Sequence, residues 1–245
     1  NLQREAEKAF GGRVGALVAL KPFTGEILGM ISKPSFDPNL FTRGMSYDQW
    51  TAITANRKNP MLNRALQSQY PPGSTFKIVT AFAGLEEGVV MPDTKVDCRG
   101  GIRYGNWHFG CWRREGHRVV SLHRAIVESC DVYFYEVGRR LGIDRIHEYA
   151  TGLGLGEKTG IELGKERQGL IPSTAWKKET KKLPWFPGET LNAAIGQGYV
   201  SVTPIQLAYM MSVVANGGTR YKPSVIKDAE PVIAGKRKMN PEKAS

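Results

Sequence analysis

SQYPPGSTFKIVTAFAGLEEG, residues 68–88, joins two prolines and a glycine to a long apolar run. Prolines force an extended backbone on the residues before them, and Gly73 allows the sharp turn that follows. The apolar pattern then predicts a helix from Thr75 to about Glu87. Ser74 is therefore expected at or next to the helix N-terminus, where free backbone N–H groups favour negative charge.

Lys77 follows Ser74 by about one helical turn, so the two side chains share a face of the predicted helix. A lysine packed against an apolar helix is desolvated and can lose its proton near neutral pH. A neutral lysine beside a serine hydroxyl is a general base for acyl transfer. Taken alone, however, Ser-x-x-Lys is more typical of a serine that caps a helix and a lysine that extends to solvent.

ESCDVYFY, residues 128–135, places a second pair of polar side chains at a break between two predicted helices, 121–129 and 131–142. Ser129 and Asp131 are short, and a tight link between helices allows both to point into one cleft. The same arrangement is also typical of helix capping. The link becomes informative only together with other segments of the chain.

Five segments occur in an order that is typical of a known family: YPPGSTFK (70–77), SCDVYFY (129–135), TGIEL (159–163), IGQGY (195–199) and TPIQLA (203–208). Together they resemble the transpeptidase domain of the class B penicillin-binding proteins, most closely the penicillin-binding protein 2 group of the cell-elongation machinery. A predicted β-hairpin at 12–32 resembles the first strands of that family. The resemblance implies an α+β fold of the penicillin-binding transpeptidase and serine β-lactamase type. Such a fold has a mostly antiparallel sheet flanked by helices, and an all-helical subdomain.

The resemblance also implies serine acyl-enzyme chemistry. Ser74 would attack the D-Ala-D-Ala carbonyl of a peptidoglycan stem peptide, and Lys77 would take its proton. Ser129 would relay protons and help to protonate the leaving group. Asp131 stands at a substrate-binding position where many relatives have Asn, and a carboxylate cannot donate the amide hydrogen bond. β-Lactams would acylate the same Ser74, and catalysis would need no cofactor.

The family's third motif, Lys-Ser/Thr-Gly on an edge strand, is not evident. KTG at 158–160 follows a predicted helix end and matches a different family segment, and no such triplet follows Gly218. We therefore predict that residues 1–245 are a single transpeptidase domain, truncated before that motif and before the closing C-terminal strands. A membrane anchor and a pedestal domain would lie outside the chain, at the periplasmic face of the bacterial inner membrane. Elongation-complex membrane proteins would bind those outside regions.

Two alternatives remain open from the sequence. The chain is compatible with a serine β-lactamase or penicillin sensor of the same superfamily, although no additional base for deacylation is evident. Because the third motif is missing, it is also compatible with a non-catalytic binding fragment, and the isolated chain is expected to be impaired or inactive.

All three cysteines fall in one window with a histidine, in the spacing C-x12-C-x5-H-x12-C. Cys98, Cys111, His117 and Cys130 make a donor set that suits tetrahedral zinc, although the close C-x2-C pair of many zinc sites is missing. A Cys98–Cys111 disulfide is the competing hypothesis, because the family works in the periplasm, where disulfides form. Three free thiols are the third.

Composition narrows the class of protein. The chain has 245 residues, 41% of them hydrophobic, and a formal net charge of +11. A basic surface favours anionic partners, but no nucleic-acid-binding motif is present, so no nucleic-acid partner is predicted. The longest clean apolar run, 14–20, is too short to span a bilayer.

Overall fold

The computed structural model describes residues 2–240, so residues 1 and 241–245 of the predicted domain lie outside the described part. Its α-helices are α1 (Leu2–Phe10), α2 (Asn39–Thr42), α3 (Tyr47–Thr54), α4 (Arg64–Gln67), α5 (Lys77–Glu86), α6 (Leu122–Val127), α7 (Asp131–Leu141), α8 (Ile143–Gly152), α9 (Thr174–Lys181), α10 (Pro187–Ala194) and α11 (Pro204–Ala215). Its strands are β1 (Gly15–Leu20), β2 (Ile27–Lys33), β3 (Val96–Cys98), β4 (Gly101–Tyr104), β5 (Trp107–Gly110), β6 (Arg118–Val120), β7 (Thr219–Tyr221) and β8 (Ile233–Lys236).

The chain forms two compact units, each built from three segments. Of the described residues, the first unit contains 2–69, 158–168 and 203–235. The second unit contains residues 70–157, 169–202 and 236–240. Within the described residues, no helix is both long enough and apolar enough to cross a membrane.

The first unit is organised around the hairpin that the sequence predicts near its N-terminus. β1 and β2 pair antiparallel, from Gly15 opposite Lys33 to Leu20 opposite Ile27. α11 begins with Thr203 as N-cap, in a capping box with Gln206, and with proline at the first turn. The core of this unit is apolar and consists of Leu66, Ile161 and Ile205, with Val18, Ile27 and Met30 packed against them.

The second unit is mostly helical. α5 lies against α7 and α8, and it is tied to the end of α10 by a buried hydrogen bond from Thr80 Oγ1 to the Ala194 carbonyl, 2.7 Å long. α7 and α10 pack closely because residue 138 is glycine. A Cβ at Gly138 would lie 2.4 Å from the Cβ of Ala194, so any larger residue there would separate the two helices.

The predicted helices 121–129 and 131–142 correspond to α6 and α7. Residues 96–120 form two small antiparallel sheets, β3 with β6 and β4 with β5. Helices α9 and α10 are not indicated by the sequence pattern. The second unit therefore combines helices with two short sheets.

Candidate active site

The turn that carries Ser74 is fixed from both sides within the second unit. Gly73 adopts φ +58°, and its N–H donates to the Gly196 carbonyl at 3.0 Å. Gly196 is itself constrained, because a Cβ on it would lie 2.5 Å from the Gly73 carbonyl oxygen. Residues Gly73–Phe76 form a single 3₁₀ turn that runs directly into α5. The Phe76 side chain is fully buried, so it anchors the turn while Ser74 stays exposed.

Lys77, the first residue of α5, is 2% exposed. Its Nζ donates to Asp131 Oδ1 at 2.6 Å, to the Ser129 carbonyl at 2.8 Å and to Ser129 Oγ at 3.0 Å. The ring of Phe134 lies 5.6 Å from the same nitrogen. The lysine is therefore buried as expected, but it is paired with a carboxylate rather than isolated in an apolar pocket.

Ser129 stands between the two residues of the Ser-x-x-Lys motif. Its Oγ lies 2.8 Å from Ser74 Oγ and 3.0 Å from Lys77 Nζ. Among the described residues, Lys77 makes no direct hydrogen bond to Ser74. Ser129 adopts φ +53°, a left-handed conformation that is uncommon for residues other than glycine.

Asp131 begins α7, where the helix dipole favours a carboxylate. One carboxylate oxygen accepts from Lys77, and the other accepts from the Trp112 backbone N–H at 3.0 Å. The structure thus brings together Ser74, Lys77, Ser129 and Asp131, the four predicted site residues. The contacts of Asp131 are with the protein's own donors, whereas the sequence analysis assigned it to substrate binding.

Trp112 is a neighbour of the site that sequence reasoning missed. Its indole Nε1 donates to the carbonyls of Glu128 and Ser129, each at 3.1 Å. It lies in a Gly- and Arg-rich window with no helical or strand periodicity. Its position next to Cys111 was the one available signal.

The predicted metal-ligating residues also converge. Cys98, Cys111, His117 and Cys130 are buried, and their ligand atoms all lie within 4.8 Å of one another. His117 Nδ1 is 3.5 Å from both Cys98 Sγ and Cys111 Sγ. All three cysteines are free, so the disulfide between Cys98 and Cys111, the competing hypothesis, is not formed in this structure. Burial raises the pKa of the Cys130 thiol and of the Cys111 thiol.

Comparison with known proteins gives a consistent result. The profile of the family described as "Penicillin binding protein transpeptidase domain" matches residues 15–245. The peptidoglycan D,D-transpeptidase MrdA of Acinetobacter baumannii is 42% identical over 228 residues, which are 92% of this chain and 34% of the relative. This chain spans about a third of the length of the curated relatives that it matches first.

Two solved structures share the fold. The structure of Pseudomonas aeruginosa PBP2 in complex with WCK 5153 matches with a TM-score of 0.93 and 41% identity, over 99% of this chain and 55% of that one. The Helicobacter pylori complex between PBP2 and MreC matches with a TM-score of 0.93 and 33% identity, over 99% of this chain and 45% of that one. These matches confirm the predicted transpeptidase fold and the resemblance to the penicillin-binding protein 2 group.

Proposed function

Because the chain belongs to the penicillin binding protein transpeptidase domain family, we propose that it is the acyl-transfer domain of a peptidoglycan D,D-transpeptidase that acts in cell elongation. The observation that carries this proposal is the continuous path from Ser74 Oγ to Ser129 Oγ to Lys77 Nζ, with steps of 2.8 and 3.0 Å. Such a path supports deprotonation of an exposed serine at the start of a helix.

Acylation follows from this path. Ser74 Oγ attacks the carbonyl carbon of the penultimate D-Ala, its proton passes to Ser129 Oγ, and the Ser129 proton passes to Lys77 Nζ. The peptide C–N bond then breaks, and the terminal D-Ala leaves as an amine with the proton returned through Ser129. Before it can accept this proton, the Lys77 ammonium must give up one of its own, and Asp131 Oδ1, 2.6 Å from Nζ, is the group positioned to take it.

Transfer completes the cross-link. The amine of a second stem peptide attacks the Ser74 ester carbonyl, and it loses a proton through the same path to Ser74 Oγ as the ester bond breaks. The Ser74 backbone N–H, at the start of a helical turn, is one donor to the developing oxyanion. We assign the second donor and the Lys-Ser/Thr-Gly strand to a segment outside residues 1–245, as part of the same truncated domain.

Substrates and partners follow from the same proposal. The substrates are peptidoglycan stem peptides, and β-lactams acylate Ser74 in their place. The domain works at the periplasmic face of the inner membrane, where an anchor outside this chain holds it. We propose that elongation-complex membrane proteins bind regions outside the chain; the Helicobacter pylori PBP2 that was solved with MreC supports the existence of such a partner.

We also propose a structural zinc ion in the Cys98–Cys111–His117–Cys130 cluster. Zinc bonds of about 2.3 Å to sulfur and about 2.0 Å to nitrogen, at tetrahedral angles, separate the two ligand atoms by about 3.5 Å. His117 Nδ1 lies 3.5 Å from two of the three sulfurs, which supports this fit. Zinc would supply no chemistry to the reaction. A disulfide, by contrast, would use only two of the three converging thiols.

Labelling with a fluorescent penicillin tests the acyl-transfer function in the full-length parent protein. We expect one stoichiometric label that Ser74→Ala abolishes and that Ser68→Ala, a matched change in the same segment, leaves unchanged. Continuous penicillin turnover would instead support a β-lactamase. An inert parent protein would support a non-catalytic binding role.

A further inference from the structure

Trp112 contacts both residues of the link that carries the proton path. Its backbone N–H donates to Asp131 Oδ2 at 3.0 Å, and its indole N–H donates to the Ser129 carbonyl at 3.1 Å. Lys77 binds the same two residues through Asp131 Oδ1 and the Ser129 carbonyl. Two N–H donors of Trp112 and the ammonium group of Lys77 thus hold the link between Ser129 and Asp131.

The link needs such support because of its backbone. Ser129 has φ +53°, and a non-glycine residue stays in this region only where its surroundings determine the conformation. The local hydrogen bonds come from the Ser129 and Cys130 N–H groups, which donate back to Ile126 and Ala125. None of these bonds orients the Ser129 carbonyl, which accepts only from Lys77 and Trp112 among the described residues.

Hydrophobic burial does not explain the position of Trp112. Its side chain remains 64% exposed. What anchors it is the chain around it: the Cys111 N–H donates to the Gly100 carbonyl at 2.8 Å, and Tyr135 Oη donates to the Gly110 carbonyl at 3.1 Å. Its ring also lies edge-on to His117, with centroids 5.4 Å apart. A largely exposed tryptophan that is anchored in this way contributes through its N–H donors.

We propose that Trp112 is a positioning residue for acylation: its indole N–H holds the Ser129 carbonyl so that the Ser129 hydroxyl stays between Ser74 and Lys77. The inference rests on the proposed acyl-transfer function. Trp112 also follows the cluster residue Cys111 directly, so it joins the cluster to the proton path. Because alignment of the reacting groups controls the rate, loss of this donor should slow the chemical step and leave the preceding non-covalent binding intact.

The test removes only the donor. In the full-length parent protein, tryptophan 112 is replaced by benzothienylalanine, which exchanges the indole N–H for sulfur at nearly constant shape, and separately by Trp112→Phe. The matched control is Trp50→Phe, an exposed tryptophan on α3 in the first unit. The readouts are the acylation rate constant and the dissociation constant of the non-covalent complex with fluorescent penicillin, together with zinc content and melting temperature.

We expect both changes at position 112 to lower the acylation rate constant by about tenfold or more. The dissociation constant, zinc content and melting temperature should stay close to those of the wild type, as should every value for Trp50→Phe. A rate constant within twofold of the wild type would overturn the inference. So would a fall in rate that is accompanied by loss of zinc or of the folded state, because that pattern indicates a purely structural role.

A wild-type protein without any label at Ser74 would refute the proposed function instead. The positioning role is then judged from crystal structures of the wild type and the benzothienylalanine variant. A displaced Ser129 hydroxyl in the variant supports the inference, and an unchanged Ser74–Ser129 distance overturns it.

Discussion

The hydroxyl oxygens of Ser74 and Ser129 lie 2.8 Å apart, although 55 residues separate them in the chain. Lys77 is hydrogen-bonded to the hydroxyl and the carbonyl of Ser129, and not to the hydroxyl of Ser74. In the proposed mechanism, the proton therefore passes from Ser74 to Lys77 through Ser129. Ser129 also has a left-handed backbone conformation. Different substitutions at this position can therefore test its hydroxyl and its backbone separately.

Ser129→Ala removes the bridging hydroxyl and keeps the left-handed backbone. We expect acylation of the full-length protein by fluorescent penicillin to slow by about 10²- to 10⁴-fold, the usual contribution of a positioned proton-transfer group. Ser129→Gly should slow acylation equally, since it lacks the same hydroxyl. Glycine, however, adopts φ +53° without strain. The free energy of unfolding of Ser129→Gly should therefore be about 1 kcal/mol higher than that of Ser129→Ala.

Acylation and urea unfolding, measured on both variants, check this prediction. Labelling rates within twofold of the wild type would exclude Ser129 from the proton path. Equal stabilities of the alanine and glycine variants would show that the backbone at 129 is not strained in solution.

The Lys77–Asp131 ion pair has side chains that are only 3% and 13% exposed, with the charged atoms 2.6 Å apart. Asp131→Asn leaves the buried ammonium without a counter-charge, and we expect it to lower the free energy of unfolding by about 3 kcal/mol. Lys77→Met combined with Asp131→Asn removes both charges and should recover part of that loss. Urea unfolding of the two single variants and the double variant gives the coupling energy, and strict additivity would contradict a coupled pair.

The sequence predicts which residues lie at the candidate site better than it predicts the hydrogen bonds between them. The helix that begins after PPGS and the break at ESCD place Ser74, Lys77, Ser129 and Asp131 correctly because short local patterns determine those turns. The order Ser74–Ser129–Lys77 depends on how α5 packs against α7, which no local pattern contains. The contacts of Trp112 with residues 128–131 are likewise tertiary, and its sequence window has no periodicity.

The fold shows the same division. The β1–β2 hairpin follows from two stretches rich in Val, Leu and Ile on either side of a turn, and α11 follows from a capping box with an N-terminal proline. The sequence pattern does not predict α9, and it does not predict α10 because Gly188 and the prolines at 184 and 187 indicate a loop rather than a helix start. Pro187 nevertheless occupies the first turn of α10, where a missing N–H costs no helical hydrogen bond.

Zinc content provides a further test of the cluster. We expect about one zinc ion for each purified chain, and a lower melting temperature after treatment with a strong chelator, because metal bound only by the folded state stabilises it. His117→Ala should lose both the metal and the stabilisation. His123→Ala, an exposed histidine outside the cluster, should lose neither. Absence of zinc together with a single titratable thiol in the denatured protein would favour the disulfide.

The close contact between α7 and α10 can be tested with one destabilising substitution and a second substitution that compensates for it. In Gly138→Ala the new Cβ would lie 2.4 Å from the Cβ of Ala194, and both atoms are fixed to helical backbone. Alanine gains about 1 kcal/mol in helix propensity, but overpacking of about 1–3 kcal/mol opposes it, and an overlap this severe falls at the upper end. We therefore expect the free energy of unfolding, measured with heat or urea, to fall by about 1–2 kcal/mol.

Gly138→Ala combined with Ala194→Gly moves the methyl group from one helix to the other and should return stability to near the wild-type value. A Gly138→Ala protein at least as stable as the wild type would show that the two helices are farther apart in solution.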